Sequence, residues 1–467
     1  MNNTYLVNHK ISESNYDYLV YVRAQSVSEE WENVITKYAN IGFIFSLYGE
    51  SQQDLNLDNL QLMYGGVNKY QAFKQISCHV SAKYVWFVDE DIVFDLDIPE
   101  LFNFVDLNDL YMCHPSITEN SHSRWKNLYY KQGSELRETD FVEVMCPIFS
   151  RKALSDMMFT FDESFSTWGL DHVWSYLRSQ QFFVIDKFQV KHIDKPDTKN
   201  GAFYKYLKRN SINPYLESLY LRAKFISLKM IGALECYKRN KGKIEILFNL
   251  HCRGFLVKNR YDLNLLENYA YLYLNPHTLD TYQEREGVMY VLDGRYNSYF
   301  MSRYLKESYL PLNFDYGGIA DYVISNTDLP IVFVGGTVSE ISLFENNFRI
   351  KYPFKEVSFH NGFQEVDSVL ENLKKRTLLV LSVGSPKQQK LVYSNSVNDL
   401  LIFSSGAFIS QSARNADSFP GIIDWIGLHF IYRVFSEKNI FKRIIGEYLP
   451  FWFISFLTPF RKYLKVV

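Results

Sequence analysis

Hydrophobic and polar positions alternate over residues 16–24 and again over 41–48, the period of a strand with one face turned inward. Between them, Ser28–Ala39 carries its apolar residues at helical spacing. Tyr84–Val88 is a short apolar run that meets an acidic cluster, and Val184–Val190 is a further strand that ends at Lys191-His192. This alternation predicts an α/β domain over about the first two hundred residues. Residues 203–237 read as helix with a break near Asn213-Pro214. Polar, basic Lys238–Lys243 reads as an exposed boundary. Beyond it the strands Val288–Leu292, Ile331–Val334, Leu378–Val383 and Leu400–Phe403 precede glycine-containing turns and helical stretches, the pattern of a Rossmann-like sheet. The expected division is a first domain over 1–202, a helical linker over 203–243, a second domain over 244–447 and a tail over 448–467.

Composition narrows the class. At 467 residues the chain is long enough for two or three domains, and its 47% apolar content is ample for packed cores. A net charge of −2 supplies no global field for nucleic acid. The five cysteines form no CxxC pair, which suggests reduced thiols in a cytosolic protein. The amino terminus lacks the basic region and apolar core of a secretory signal, and no run of about 18 apolar residues would cross a membrane as a helix. The aromatic content of 17% suits sugar-binding clefts and membrane contact, and equally plain core packing.

Candidate chemistry in the first half gathers at strand ends. Trp86-Phe87-Val88-Asp89-Glu90-Asp91 places Asp89 and Asp91 where two oxygen ligands can hold Mn²⁺ or Mg²⁺, which in turn clamps a diphosphate. A solvated acidic turn is the plainer alternative for that motif alone. Glu143 lies in the apolar, strand-like run Phe141–Met145, where an unpaired carboxylate is costly. Thr167-Trp168-Gly169-Leu170-Asp171-His172-Val173-Trp174 sets Asp171 between two tryptophans; Trp168 offers a flat apolar face to a sugar, and Asp171 suits a general base. His192 closes its strand as a third metal ligand or as a packed surface histidine. With Tyr21–Ala24, Phe45–Gly49 and Val190–His192, these motifs resemble, in order, the DUF707 family of GT-A-like glycosyltransferases over about residues 17–196. The resemblance implies that Asp89, Asp91 and His192 hold a metal and the donor diphosphate, that Asp171 is the base, and that Glu143 positions sugar hydroxyls.

The second half carries a different signature. Val380–Ser382 reads as a buried strand running into Gly384-Ser385-Pro386-Lys387-Gln388-Gln389, with Ser385 as helix cap and Pro386 in the first helical position. Free N–H groups at Gly384 and Ser385, with Lys387 beside them, would seat a diphosphate. Leu274-Asn275-Pro276, Leu292-Asp293-Gly294, Val334–Gly336, Gly406–Phe408 and Trp425–Arg433 complete a set that resembles the WecG/TagA/CpsF glycosyltransferases over about residues 245–447. The resemblance implies a metal-independent transfer from a nucleotide sugar to a polyprenyl-diphosphate-linked or glycan acceptor. Asp293 would be the base, Asn275 and Gln388 would bind donor or acceptor, and Arg433 and Arg443 would contact diphosphate. Departures stand beside it: Tyr273 and Leu274 precede Asn275, Gln389 replaces an acid, and His429 and Phe430 occupy a Glu-Trp position.

The tail Tyr448–Phe460 is aromatic and flanked by Arg443, Arg461, Lys462 and Lys465, so it suits the surface of an anionic membrane, or packing on its own domain. The expectation is an α/β chain of two domains, a GT-A-like nucleotide-sugar fold followed by a Rossmann-like one. It would act as a bifunctional hexosyl or N-acetylhexosaminyl transferase of bacterial capsule, O-antigen or similar polysaccharide, peripheral on the cytoplasmic face of the membrane, with other assembly enzymes as possible partners. Two alternatives are a single transferase with a C-terminal docking domain and a non-catalytic carbohydrate-binding scaffold.

Overall fold

The computed structural model describes residues 4–5, 16–48, 55, 57–64, 68–193, 201–209, 211–266, 268–305, 307–316, 318–363, 366–373, 376–394, 399–414, 443–457 and 465–466. Contacts divide the chain into two units, Met1–Glu235 with Lys462–Val467, and Cys236–Arg461. A two-residue parallel pair, β1 (Thr4–Tyr5) with β18 (Lys465–Val466), belongs to the first.

The first unit is built on one mixed sheet. Its elements are β2 (Tyr18–Ala24), α1 (Glu29–Lys37), β3 (Gly42–Leu47), β4 (Leu60–Tyr64), α2 (Lys69–Ile76), β5 (Tyr84–Asp89), β6 (Ile92–Phe94), α3 (Ile98–Leu107), β7 (Met112–Ile117), β8 (Leu136–Thr139), β9 (Ile148–Ser150), α4 (Arg151–Met157), α5 (Leu170–Leu177), β10 (Phe182–His192), α6 (Ala202–Arg209) and α7 (Pro214–Met230). The order is β4-β3-β2-β5-β9-β7-β10-β6, with β8 on the side of β10. The first four strands are parallel and buried on both faces. Val20, Val22, Trp86 and Val88 pack with Trp31 of α1 and Leu101 and Phe102 of α3. Leu19, Tyr21, Val85 and Phe87 pack with Tyr70 and Phe73 of α2 and Trp174 of α5. That period of two explains why the whole run is apolar. Parallel pairing also brings the carboxyl ends of β2, β3 and β5 to one edge. The antiparallel β6–β10 register sets His192 opposite Ile92, beside the acidic turn.

The second unit is a doubly wound parallel sheet of order β11-β13-β12-β17-β16-β14-β15. Its elements are α8 (Leu234–Cys252), β11 (Leu256–Val257), β12 (Tyr269–Leu274), β13 (Val288–Leu292), α9 (Arg295–Leu305), α10 (Ala320–Asn326), β14 (Ile331–Gly335), α11 (Val338–Lys351), β15 (Val357–His360), α12 (Val366–Glu371), β16 (Thr377–Ser382), α13 (Lys387–Ser394), β17 (Leu400–Ser404), α14 (Phe408–Arg414) and α15 (Leu449–Leu457). Backbones close up where the strands end: a Cβ on Gly335 would lie 2.4 Å from the Ser382 carbonyl oxygen, so only glycine fits there.

Two expectations are corrected. Lys238–Lys243 is no exposed boundary: it lies inside α8, with Asn240, Lys241 and Lys243 buried. Lys243 reaches Asp280 at 2.9 Å and also the Pro276 carbonyl, which is how a buried ammonium is satisfied. Phe141–Met145 is loop rather than strand, because its backbone is held by side chains: Tyr70 donates to Val144 O (2.6 Å), Lys69 to Met145 O (2.8 Å). Of the two readings left open for the aromatic tail, packing on its own domain is seen in the described part, a helix, α15, that packs on α9. Phe451 and Ile454 are buried, Trp452 stacks on Phe300, and the Trp452 indole donates to Asn297 Oδ1 at 2.9 Å.

The helix α7 is fastened to the first unit by one carboxylate. Glu217 accepts from the N–H groups of Phe165 (2.7 Å) and Ser166 (2.8 Å) and from the hydroxyls of Ser164 (3.1 Å) and Ser166. Several donors on one ionised acceptor make a strong clamp. Glu217→Ala should therefore lower the stability of this unit by about 2–3 kcal/mol. Urea denaturation of the full chain, followed by tryptophan fluorescence, measures it; an unchanged midpoint would show that the clamp is dispensable.

Candidate functional site

Asp89 is the last residue of β5, and Glu90 and Asp91 form the turn that leads to β6. The three carboxylates point to different partners. Asp89 pairs with the buried Lys69 of α2 at 2.9 Å. Glu90 accepts from Gln25 N (2.6 Å) and from the Tyr48 hydroxyl, which ties the turn to the ends of β2 and β3. Asp91 Oδ2 lies 2.8 Å from His192 Nε2. His192 Nδ1 lies 2.7 Å from the His122 carbonyl, so that nitrogen carries the proton and Nε2 faces the carboxylate. Burial alone would lower the imidazole pKa, but the Asp91 hydrogen bond and charge raise it to about 9. Burial raises Asp89, against the pull of Lys69.

Two more carboxylates converge on this edge. Glu143, in the loop before β9, accepts from Ser123 Oγ at 3.1 Å. Burial first, then the charge of Asp171, pushes it up to about 7, with Ser123 and His192 opposing. Asp171 stands in the first turn of α5, after a loop that takes Thr167 to φ 65° and Gly169 to φ 90°. A side chain at Gly169 would strike Ser218 of α7, so glycine lets the two helices meet. Asp171 Oδ1 accepts from His172 N at 2.8 Å, yet burial outweighs that bond and lifts its pKa to about 6. A carboxylate whose pKa lies within about one unit of neutral pH suits proton transfer.

Asp89, Asp91, Glu143, Asp171 and His192 share one neighbourhood: Asp89 feels the charges of Asp91 and His192, Glu143 those of Asp171, His192 and Asp89, and His192 those of Asp91 and Glu143. They do not form a three-ligand metal group, and none exists among the described residues. Asp89 is paired with Lys69, and Asp91 with His192, whose Nδ1 is fixed by a backbone carbonyl. Of the two tryptophans, Trp174 is a core residue bonded to Thr160 Oγ1 at 2.9 Å. Trp168 is half-buried, edge-on to Tyr215 with ring centroids 4.8 Å apart. Lys69 and Ser123 were not read from the sequence. Lys69 left one sign, a lysine on the apolar face of α2 beside Tyr70 and Phe73.

In the second unit Asn275 and Asp293 end neighbouring strands, β12 and β13. Asn275 Nδ2 donates to Asp293 Oδ2 at 3.0 Å, while its Oδ1 accepts from the His277 and Thr278 N–H groups, both at 3.0 Å. The amide is thereby fixed and aims one oxygen of Asp293. Two residues missed in the sequence complete the loop: Asn297 Nδ2 donates to Asp293 O (2.6 Å), and Asn313 Oδ1 accepts from Gly294 N (3.0 Å).

The Gly-Ser-Pro-Lys-Gln element sits at the end of β16. Gly384 has φ 76°, and Lys387 Nζ reaches Gly362 O at 3.3 Å. Ser385 does not cap α13. Its Oγ is buried without a hydrogen-bond partner, as are Gln388 Oε1 and both amide atoms of Gln389. A helix starting at Lys387 leaves Pro386 just outside its first turn. Buried polar groups are rarely left unpaired, and four such atoms fall within five residues here. Arg443 is exposed where the described C-terminal helices begin, and Arg433 lies outside the described residues.

One of three comparisons with known proteins has a location in the chain, and it falls mostly in this second unit. A curated enzyme of Shigella boydii, UDP-Gal:alpha-D-GlcNAc-diphosphoundecaprenol beta-1,4-galactosyltransferase, is 30% identical over 158 residues, 31% of this chain and 66% of that enzyme's length. The crystal structure of A197 from STIV aligns with 38% of this chain and 86% of its own at 8% identity and a TM-score of 0.24, too slight a likeness to carry an argument. Residues 318–465, which include α13, α15 and the tail, match the glycosyl transferase WecG/TagA/CpsF family.

Proposed function

We propose that the chain is a bifunctional glycosyltransferase of bacterial surface-polysaccharide synthesis. Each unit would take a nucleotide sugar, and the second would act on a polyprenyl-diphosphate-linked acceptor at the cytoplasmic face of the membrane. One observation carries the reading of the second unit: the unpartnered Ser385, Gln388 and Gln389 atoms lie within the matched region. The relative's UDP-galactose and lipid diphosphate supply the classes of donor and acceptor to try. In this reading those groups bind the donor. Asp293, held by Asn275, takes the proton of the acceptor hydroxyl as its oxygen bonds to the anomeric carbon, and the nucleoside diphosphate departs with the electrons of the broken C–O bond.

For the first unit, the gathering of Asp91, His192, Glu143 and Asp171 at one sheet edge supports a GT-A-like transferase. Asp91 and His192 would hold Mn²⁺ or Mg²⁺, which when bound neutralises a donor diphosphate. Asp171 would accept the proton of the attacking hydroxyl. Glu143, protonated below about pH 7, would donate a hydrogen bond to a sugar oxygen.

The test is nucleoside-diphosphate release from a panel of nucleotide sugars with detergent-solubilised lipid acceptors. Two activities are expected. Asp293→Asn should cut kcat of one by about 10²–10⁴-fold and leave the other intact. EDTA, or Asp91→Asn, should abolish only the other. If one activity alone exists and disappears with Asp91→Asn, the second unit is a docking domain; if no donor is turned over, both units only bind.

A pH profile checks the base of the first unit. Asp171 must be ionised to accept a proton, so kcat/KM should fall as pH drops through about 6. In Asp171→Asn the residual rate should lose that limb. A limb retained in the variant would assign the titration elsewhere.

A further inference from the structure

The outer face of α7 is apolar. Tyr215, Leu216, Leu219, Tyr220 and Met230, with Ile231 just beyond, are each more than half exposed. At 100° per residue these positions fall in one arc of the helix, about 24 Å long. The opposite face is apolar as well: Leu221 and Phe225 are buried against the first unit. A helix hydrophobic on both faces expects a second apolar neighbour.

Charge identifies that neighbour. Over 202–231 the basic residues are Lys205, Lys208, Arg209, Arg222, Lys224 and Lys229, against one acid, Glu217. Glu217 is turned inward and consumed by the 164–166 backbone and hydroxyls, and Lys224 pairs with Glu163 at 2.7 Å. Lys205, Lys208, Arg209 and Arg222 are exposed, and no carboxylate among the described residues pairs with them. An apolar stripe with Arg222 at its edge and three more unpaired cations on the helix before it, with no exposed acid over 202–231, matches an anionic lipid surface.

We infer that α7, with the basic end of α6, lies in the headgroup zone of an anionic membrane and is the docking face of the first unit. The arc inserts Leu216, Leu219 and Met230 among the upper acyl chains while the cations meet lipid phosphates. The two tyrosines place their hydroxyls at the headgroup level. Arg222 stands at the edge of this arc, and its charge already reaches Asp171 and His172. A lipid-held acceptor lying against α7 would thus present its headgroup beside the candidate base. That last point rests on the transferase reading; the docking does not.

Vesicle flotation of the full chain tests it without any turnover. Wild type should float with phosphatidylglycerol–phosphatidylethanolamine vesicles and stay behind with phosphatidylcholine alone. The double variant Leu216→Glu/Leu219→Glu should lose about tenfold or more of that binding, and Lys205→Ala/Lys208→Ala/Arg209→Ala should weaken it and flatten its salt dependence. Phe453→Glu, on the exposed side of α15, should float as wild type does. Melting curves should not shift, since every altered side chain on α7 is exposed. Undiminished flotation of the double variant, or loss only in Phe453→Glu, would overturn the inference. So would a dimer in sedimentation velocity, free of vesicles, that the double variant dissolves, because the stripe would then be a contact between copies.

Discussion

In the first unit a single buried ammonium sets the geometry of everything near it. Lys69 emerges from the apolar face of α2 and reaches Asp89 Oδ1 at 2.9 Å and Met145 O at 2.8 Å. Burying that charge costs several kcal/mol unless both partners are in place. The pair therefore locks α2 against the end of β5 and pins the loop that carries Glu143. It also gives the two aspartates of the turn different partners. With Asp89 neutralised from within, Asp91 is left to face His192. Asp171 and Glu143, which form no ion pair among the described residues, are lifted toward neutral pH by burial, against the weaker pull of Arg222 and His192.

The second unit solves the same problem with neutral groups. Its strands are parallel, so their carboxyl ends share one edge and the chain must turn there repeatedly. Asn275, Asn297 and Asn313 satisfy the turns around Asp293 through side-chain amides. The turn after β16 is different, because Ser385, Gln388 and Gln389 bury polar atoms with nothing opposite them. One edge thus holds a half whose polar groups are paired and orient an acid, and a half whose buried polar atoms are not. The two units differ in the same sense: the first tunes its acids by charge and burial, the second by hydrogen-bond direction.

Much of the fold was legible because strand and helix periods are local. The strands at 18–24, 42–47, 84–89, 288–292, 331–335 and 400–404 lie where the apolar runs are. β12, whose sequence is Tyr-Ala-Tyr-Leu-Tyr-Leu, was passed over as a strand. Its end, Asn275 beside the Asp293 loop, was still found through its motif. Glu143 was singled out for the right reason, a carboxylate amid apolar neighbours, though its segment is a loop held by side chains distant in sequence. Pairing was not legible. That Asp89 would meet Lys69, and Trp452 would meet Asn297, depends on contacts 20 and 155 residues apart. The basic run Lys238–Lys243 misled for the same reason, since Lys243 is buried only because Pro276 and Asp280 come to it.

The bond between Trp452 and Asn297 has a practical corollary. Asn297 also donates to the carbonyl of Asp293, so the far end of the chain braces the loop that carries the candidate acid. The aromatic C-terminal segment looks like an appendage that a protein chemist would trim for better behaviour in solution. Trimming before Trp452 would strip one side of α9 and leave the Asn297 amide oxygen without its donor. A shortened protein with poor turnover would then report a slackened loop and say little about membranes.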